Sequence, residues 1–483
     1  MLISEAQILE VLRRQNSWWQ TGQIPSDQAP PVRRLAFYEV RSLLRQPELK
    51  RAIILTGARR VGKTVILHQL AEEVLKKNTP SNKVLYVSFE DLTLNQATLK
   101  EILHLYEKNI TSIDQDTLIL LDEIHYTADW GRWLMTVIRE YPRTRIVATG
   151  SAAVLLRHEN EGESGFGRWT AVHIPTLSFY EYIQMRHVVL PRLPEDLTIR
   201  KLSRSDEKAR QEVLLACETL QAEFNRYLLQ GGFPASVSDD FTRFRAQRFL
   251  REDVIDKALK RDMSHFYGAR SLGELDQIFV YLCFNSGSVV EKNTLAKELG
   301  VAAATVENHL QRLEDAHLIY RLLPLNLQGK KSLKARPKVY VADSTLRNAV
   351  ILRGEELFDN ETELGLVMES CIFKHLYAFY FEDRPRFGYW KEKRGDKEVD
   401  FVLHFPNGRK YAFEVKYRSR IKSENLEGLS EIMSSKNAPE IAYVVTKNNE
   451  NFGPLGPGIF QIPAYIFTYI LGHAELYRCL KDR

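Results

Sequence analysis

Two groups of residues in this chain combine types and spacings that chemistry can use. The first is Gly57-Ala-Arg-Arg60-Val-Gly62-Lys63-Thr64, which fits a phosphate-binding loop. Its glycines let backbone N–H groups face phosphate oxygens, Lys63 can neutralise the β and γ oxygens, and Thr64 offers a hydroxyl to Mg²⁺. The second lies at the far end of the chain, where Asp400 precedes Glu414-Val-Lys416. Two carboxylates and a lysine are the ingredients of Mg²⁺-dependent phosphodiester cleavage: the acids hold the ion, and the ammonium steadies charge developing on the phosphate.

Each group has expected helpers. Leu118-Ile-Leu-Leu-Asp122-Glu123 ends an apolar run in two acids. Asp122 suits the Mg²⁺ shell of a bound ATP, and Glu123 suits the orientation of an attacking water, so hydrolysis is expected and not binding alone. Thr149-Gly150-Ser151 ends the next run, and Ser151 is a candidate γ-phosphate sensor, a plain turn being the alternative. Arg168 follows a Gly/Ser/Glu-rich stretch at 162–167 and is a candidate arginine finger for a neighbouring subunit, a plain surface arginine being the alternative. For the second group, Glu369 supplies a further carboxylate from a predicted helix over 365–380.

The elements that must position these residues are legible in part. Ala52–Thr56, Val84–Phe89, Leu118–Leu121 and Ile146–Thr149 are short β-branched apolar runs separated by helical stretches, as expected for a parallel sheet covered on both faces. The phosphate loop falls between the first run and a helix beginning near Lys63. From about 178 to 270 the strands stop, and Leu214–Leu229 and Phe244–Lys260 read as helices. Between 272 and 342 the order is helix, helix, helix, strand, basic loop, strand. Thr294–Gly300 and Ala303–Leu313 there have helix-turn-helix spacing, which describes a winged helix. Pro406-Asn407-Gly408 is a hairpin signal that would lay Asp400 beside Glu414. The domains expected are a helical lead-in (1–50), an ATPase core (51–177), a helical lid (178–271), a winged helix (272–345) and a nuclease-like domain (346–483).

Composition excludes several classes. With 483 residues, 44% apolar and 27% charged, the chain has the make-up of a multidomain globular protein, not of a disordered or membrane-spanning one. The net charge of +5 permits a polyanionic partner without requiring one. Local clusters say more: Lys330, Lys331, Lys334, Arg336 and Lys338 share one stretch, and Arg409, Lys410, Arg418, Arg420 and Lys422 crowd the second group. Cys217, Cys283, Cys371 and Cys479 are too scattered for a zinc cluster or a disulfide framework, and no signal peptide or bilayer-length apolar run is evident, so a cytoplasmic protein is expected.

Taken together, the double-arginine phosphate loop, Asp122-Glu-Ile-His125 followed by Trp130, Ala148–Ser151, Phe179-Tyr-Glu-Tyr182 and Leu228-Leu-Gln-Gly-Gly-Phe-Pro234 resemble prokaryotic AAA+ superfamily ATPases of the AAA_14 type with a C-terminal DUF4143 domain. The resemblance covers nearly the whole chain. Helix Glu, hairpin Asp and the Glu-x-Lys strand resemble the PD-(D/E)xK nuclease superfamily, although Val399 stands where that pattern has proline. The resemblance implies an α/β protein: a parallel-sheet AAA+ core with a helical lid, a winged helix and a restriction-endonuclease-like domain. It implies ATP and Mg²⁺ as cofactors, DNA, including branched or single-stranded DNA, as partner, and a homo-oligomer.

Other readings stay open. The C-terminal domain of a regulatory or defence switch would only hold nucleic acid or a partner protein. The winged helix alone would make a transcription regulator. Glu307, Glu314 and Asp315 against a lone Arg312 on its second helix argue against base reading, since phosphate-lined grooves demand positive charge.

Overall fold

Ala52-Ile-Ile-Leu-Thr56 has no polar side chain before its last position, and such a strand is stable only with both faces covered. In the computed structural model it is β1, buried at every residue. The structure describes residues 3–46, 51–150, 169–237, 242–262, 270–325, 335–392, 396–418, 426–450 and 452–481. The chain divides into two units, Met1–Ile174 with Cys479–Arg483, and Pro175–Arg478.

In the first unit, β1 is flanked by β2 (Val84–Ser88), β3 (Leu118–Asp122), β4 (Arg145–Thr149) and β5 (Trp169–His173) in the order β2-β3-β4-β1-β5 among the described residues. Every pairing is parallel. Functional groups in such a sheet gather at the carboxyl ends of the strands. β5 is an addition to the four strands expected from sequence.

Residues 4–34 are tied to this unit through polar side chains. Ser4 caps the helix Glu5–Gln15 with a capping box to Gln7. The chain then runs along β2. The Gln15 amide accepts from Ser88 N–H (2.9 Å) and donates to Ser88 O (3.3 Å), and the Asn16 amide brackets Tyr86 in the same way (2.7 and 2.8 Å). The Trp18 and Trp19 indoles both donate to Val84 O, at 3.0 and 2.9 Å. Further on, Gln69 of the helix Lys63–Leu75 donates to the carbonyls of Pro30 and Val32. Arg34 donates to Val61 O inside the phosphate loop.

The second unit begins with helices. The expected single helix over Leu214–Leu229 is two, Glu207–Cys217 and Leu220–Gln230. Cys217 and Leu220 are both fully buried, so the apolar stripe keeps its phase across the break and conceals it. Phe244–Lys260 is likewise divided, into an α-helix Arg243–Phe249 and a π-helical stretch Leu250–Asp262.

These helices close on a buried ionic network. Asp343 and Lys374 meet at 2.5 Å with side chains 1% and 3% exposed. Asp343 also accepts from Thr345 N–H (2.9 Å) and Thr345 Oγ1 (2.6 Å), capping the helix Ser344–Ile351. Burial alone would raise the Asp343 pKa, but the Lys374 ammonium overcomes it and holds the carboxyl below its ordinary value. Lys374 also sits over the Tyr227 ring at 4.7 Å. This explains the Gly-Gly of Leu228–Pro234: a Cβ on Gly232 would stand 2.3 Å from the Asp343 carboxylate.

The remaining strands form one mixed sheet, in the order β13-β14-β12-β11-β10-β9-β7-β8-β6 among the described residues. They are β6 (Ser288–Val289), β7 (Ile319–Pro324), β8 (Lys338–Val341), β9 (Arg386–Lys391), β10 (Glu398–His404), β11 (Lys410–Lys416), β12 (Ile441–Thr446), β13 (Gly453–Gly456) and β14 (Ile459–Pro463). β10 and β11 are the expected hairpin, with Gly408 at φ 84° in its turn. The strands of the segment expected to be a winged helix do not stand apart. β7 pairs in parallel with β9 through Leu323–Gly388 and Pro324–Tyr389, so β6 to β8 extend the sheet that carries Asp400.

Candidate functional site

The phosphate loop joins β1 to the helix Lys63–Leu75. Gly62 at its N-cap has φ 99°, and Gly57 has φ 152°. A Cβ on Gly57 would lie 2.3 Å from Ile174 O, so this turn admits glycine alone. Arg60 is exposed, also with positive φ (67°). Lys63 is buried, and its ammonium donates to the carbonyls of Gly57 (3.0 Å) and Ala58 (3.1 Å), which folds it back over the loop.

Thr64 follows on the first turn. Its hydroxyl donates to Asp122 Oδ2 at 2.9 Å, joining the helix to the end of β3. Tyr86 OH donates to the same oxygen at 2.9 Å, and Thr149 Oγ1 donates to Oδ1 at 2.6 Å. Burial, and then the charge of Glu123, raise the Asp122 pKa, while these three donors oppose the rise. Glu123 has φ 50° and ψ 47°, a conformation costly for a side chain of this kind and typical of functional positions. Its N–H donates to Thr149 Oγ1 at 2.8 Å, and its carboxylate lies 3.3 Å from His125 Nδ1.

Lys63, Thr64, Asp122 and Glu123 thus gather where β1, β3 and β4 end. Ser151 and Arg168 lie outside the described residues. Thr149 touches both acids and was passed over in favour of Ser151; the signal for it was a polar residue closing an otherwise apolar strand. Tyr86 carried no local signal. A hydroxyl and a carboxylate oxygen side by side at a helix N-terminus, with a lysine adjacent, suit Mg²⁺ accompanying a nucleotide, because all the donors are hard oxygens.

The second cluster sits on the β10–β11 pair. The register sets Phe401 against Phe413 and therefore Asp400 opposite Glu414, both buried. Val415 N–H donates to Asp400 Oδ2 (2.8 Å), and Asp400 N–H reaches Glu414 Oε2 at 3.4 Å. Lys416 is ion-paired with Glu414 Oε1. Glu369, on the helix Glu361–Tyr380, accepts from Tyr340 OH at 3.1 Å. Burial first, and then the Asp400 charge, raise the pKa of both Glu369 and Glu414. Lys416 is held protonated by Glu414 and Asp400 against the opposing effect of burial.

The structure therefore brings Glu369, Asp400, Glu414 and Lys416 together, and adds Lys338 and Tyr340 from β8. Buried Lys338 is ion-paired with Glu398, and Asp400, Glu369 and Glu398 raise its pKa despite burial. Among the described residues no group of three or more His, Cys, Asp or Glu forms a ready ligand shell for a metal. Asp400 and Glu414 nevertheless fit a divalent ion in chemistry: two facing hard-oxygen donors in a cluster richer in carboxylates than in ammonium groups. Such an ion would compete with Lys416 for Glu414.

The charges of the second helix in the helix-turn-helix segment are spent internally. Glu307 pairs with Lys292 and Arg321, and Glu314 with Arg321. Of the basic loop after β7, Arg336 pairs with Glu291, while Lys330, Lys331 and Lys334 lie outside the described residues, as do Arg420 and Lys422. No helix among the described residues is long and apolar enough to cross a membrane.

Family models match residues 49–183 as an AAA domain, and residues 221–357 and 364–467 as two domains of unknown function, DUF8612 and DUF4143. An uncharacterized protein of Methanocaldococcus jannaschii is 27% identical over 398 residues, covering 80% of this chain and 80% of its own. One from Haemophilus influenzae is 26% identical over 357 residues, covering 72% of this chain and 78% of its own. Among solved structures, AMPPCP-bound DnaA from Aquifex aeolicus aligns with 59% of this chain and 89% of that chain at 17% identity and a TM-score of 0.23. With the parallel sheet, its phosphate loop and the mixed C-terminal sheet in place, the chain carries an AAA+ ATPase-type domain over residues 49–183 and a C-terminal DUF4143 domain over residues 364–467.

Proposed function

We propose that this protein hydrolyses ATP in its first unit and uses that turnover to control DNA processing at the Asp400–Glu414–Lys416 cluster, acting as a homo-oligomer. The observation that carries the reading is the convergence of Lys63, Thr64, Asp122 and Thr149 at the carboxyl end of the parallel sheet, with Glu123 beside them. Loop N–H groups and the helix N-terminus hold the phosphates, and Lys63 exchanges its loop carbonyls for phosphate oxygens. Thr149 fixes both acids, so Glu123 meets the attacking water from a set backbone position. Mg²⁺, held by Thr64 and Asp122, would supply charge neutralisation at the β and γ oxygens.

At the second cluster, Lys416 would steady charge on a scissile phosphate, and Asp400 and Glu414 would hold a divalent ion, whose chemistry there would be to lower the pKa of a nucleophilic water. The test uses labelled single-stranded, duplex and branched DNA with Mg²⁺ or Mn²⁺, with and without ATP. Lys416→Ala and Asp400→Asn are each expected to lower cleavage by about a hundredfold or more, with ATP turnover intact.

A second reading is a switch whose C-terminal unit only holds nucleic acid or a partner. It is favoured by the closed state of the cluster, in which Glu414 is already paired with Lys416 and Glu369 with Tyr340. Wild-type protein that binds DNA, cuts none of these substrates and is indifferent to Asp400→Asn would establish the switch over the nuclease.

A further inference from the structure

We infer that Tyr86 is a positioning residue of the ATP site, fixing the Asp122 carboxylate through its hydroxyl while the N-terminal segment fixes Tyr86. The inference rests on the nucleotide-site reading above and goes beyond it, because it assigns a role to a β2 side chain and to Asn16 and Trp18, which the phosphate-loop pattern does not contain.

The geometry runs in one connected series. Asn16 holds the Tyr86 backbone from both sides, accepting from its N–H at 2.7 Å and donating to its carbonyl at 2.8 Å. The Tyr86 ring is enclosed by His68, with centroids 4.6 Å apart, and by the fully buried Trp18 at 6.4 Å. His68 belongs to the helix that starts with Lys63 and Thr64. The phenol therefore has one orientation, and its O–H ends 2.9 Å from Asp122 Oδ2.

Thr64 donates to the same oxygen, but Thr64 is itself the expected Mg²⁺ ligand, so its hydroxyl serves two purposes. Tyr86 donates to Oδ2 alone and, with Thr149 on Oδ1, keeps Asp122 in place while Thr64 attends to the ion. Outer partners that orient a metal ligand commonly account for ten- to hundredfold in metal affinity.

The experiment is mant-ATP binding to the full chain, titrated with Mg²⁺ and repeated in EDTA, for wild type and Tyr86→Phe, with Tm measured in parallel. The phenylalanine keeps the ring and its packing and removes the hydroxyl alone. In the variant, the Mg²⁺ concentration giving half-maximal strengthening of mant-ATP binding is expected to rise about tenfold, while binding in EDTA stays within about twofold of wild type. An unchanged Mg²⁺ midpoint overturns the inference. An equal loss in EDTA and in Mg²⁺ also overturns it, since that pattern belongs to general disruption of the pocket. Wild-type protein that fails to bind mant-ATP overturns the nucleotide-site reading itself, which is a different result.

Discussion

Lys63→Ala is expected to lower ATP turnover by about a hundred- to a thousandfold, equivalent to roughly 2.7–4 kcal/mol of transition-state stabilisation. Lys63 is the loop cation whose ammonium folds back over the loop to the Gly57 and Ala58 carbonyls, and phosphoryl transfer leaves the protein little to do beyond positioning and neutralising charge. Those two carbonyls are loop groups that water can satisfy once the ammonium is gone, so the fold should survive. The checks are phosphate release at saturating ATP and thermal unfolding. A variant that turns over ATP at the wild-type rate would remove the phosphate loop from the mechanism. The same variant separates the two units: if DNA cleavage needs turnover, it should fall in Lys63→Ala although Asp400, Glu414 and Lys416 are intact.

The largest effect on stability is expected from Lys374→Met. The substitution keeps most of the side-chain volume and removes the charge, leaving the Asp343 carboxylate buried with Thr345 but without its ammonium partner. Breaking one side of a buried pair costs about 3–5 kcal/mol, because the remaining charge keeps its desolvation penalty. For a unit of this size that amounts to a fall in Tm of about 10 °C. The contact with the Tyr227 ring is lost as well. Asp343→Asn combined with Lys374→Met should be less destabilised than the sum of the two single changes, since no charge is then stranded. Strict additivity in this cycle would mean that Asp343 and Lys374 do not act as a pair.

How much of this was legible from sequence depended on how local the determinants were. β1 to β4 could be read because strands buried on both faces leave continuous apolar runs, and their bounds agree within a residue or so. β5 was not read, because Trp169-Thr-Ala-Val-His173 is interrupted by polar residues and becomes a strand by pairing with β1. β9 is similar: Arg386-Phe-Gly-Tyr-Trp-Lys391 has charged ends, and its place between β10 and β7 comes from long-range pairing.

The sites follow the same rule. Asp400 and Glu414 could be placed opposite one another because a short turn at Pro406–Gly408 fixes hairpin register. Lys338 and Tyr340 lie some sixty residues earlier and enter the cluster only because β7 pairs with β9, a contact that no local periodicity encodes. In the first unit, the loop and the acid pair were visible as motifs. Thr149 and Tyr86 were not, since each acts by the direction of one hydroxyl in a packed interior.

The bonds from Gln15, Asn16, Trp18 and Trp19 to β2 have a consequence for association. Among the described residues β2 is the outermost strand on its side of the sheet, so its outward N–H and C=O groups would otherwise be open to a strand from another chain. Amides and indoles occupy Val84 O, Tyr86 N–H and O, and Ser88 N–H and O in place of a neighbouring backbone. Because a side chain cannot propagate a ladder, the sheet ends there. A fragment trimmed to begin at β1 would expose Val84-Leu-Tyr-Val-Ser88, an apolar five-residue strand with free pairing groups, and would be prone to edge-to-edge aggregation that the intact chain avoids.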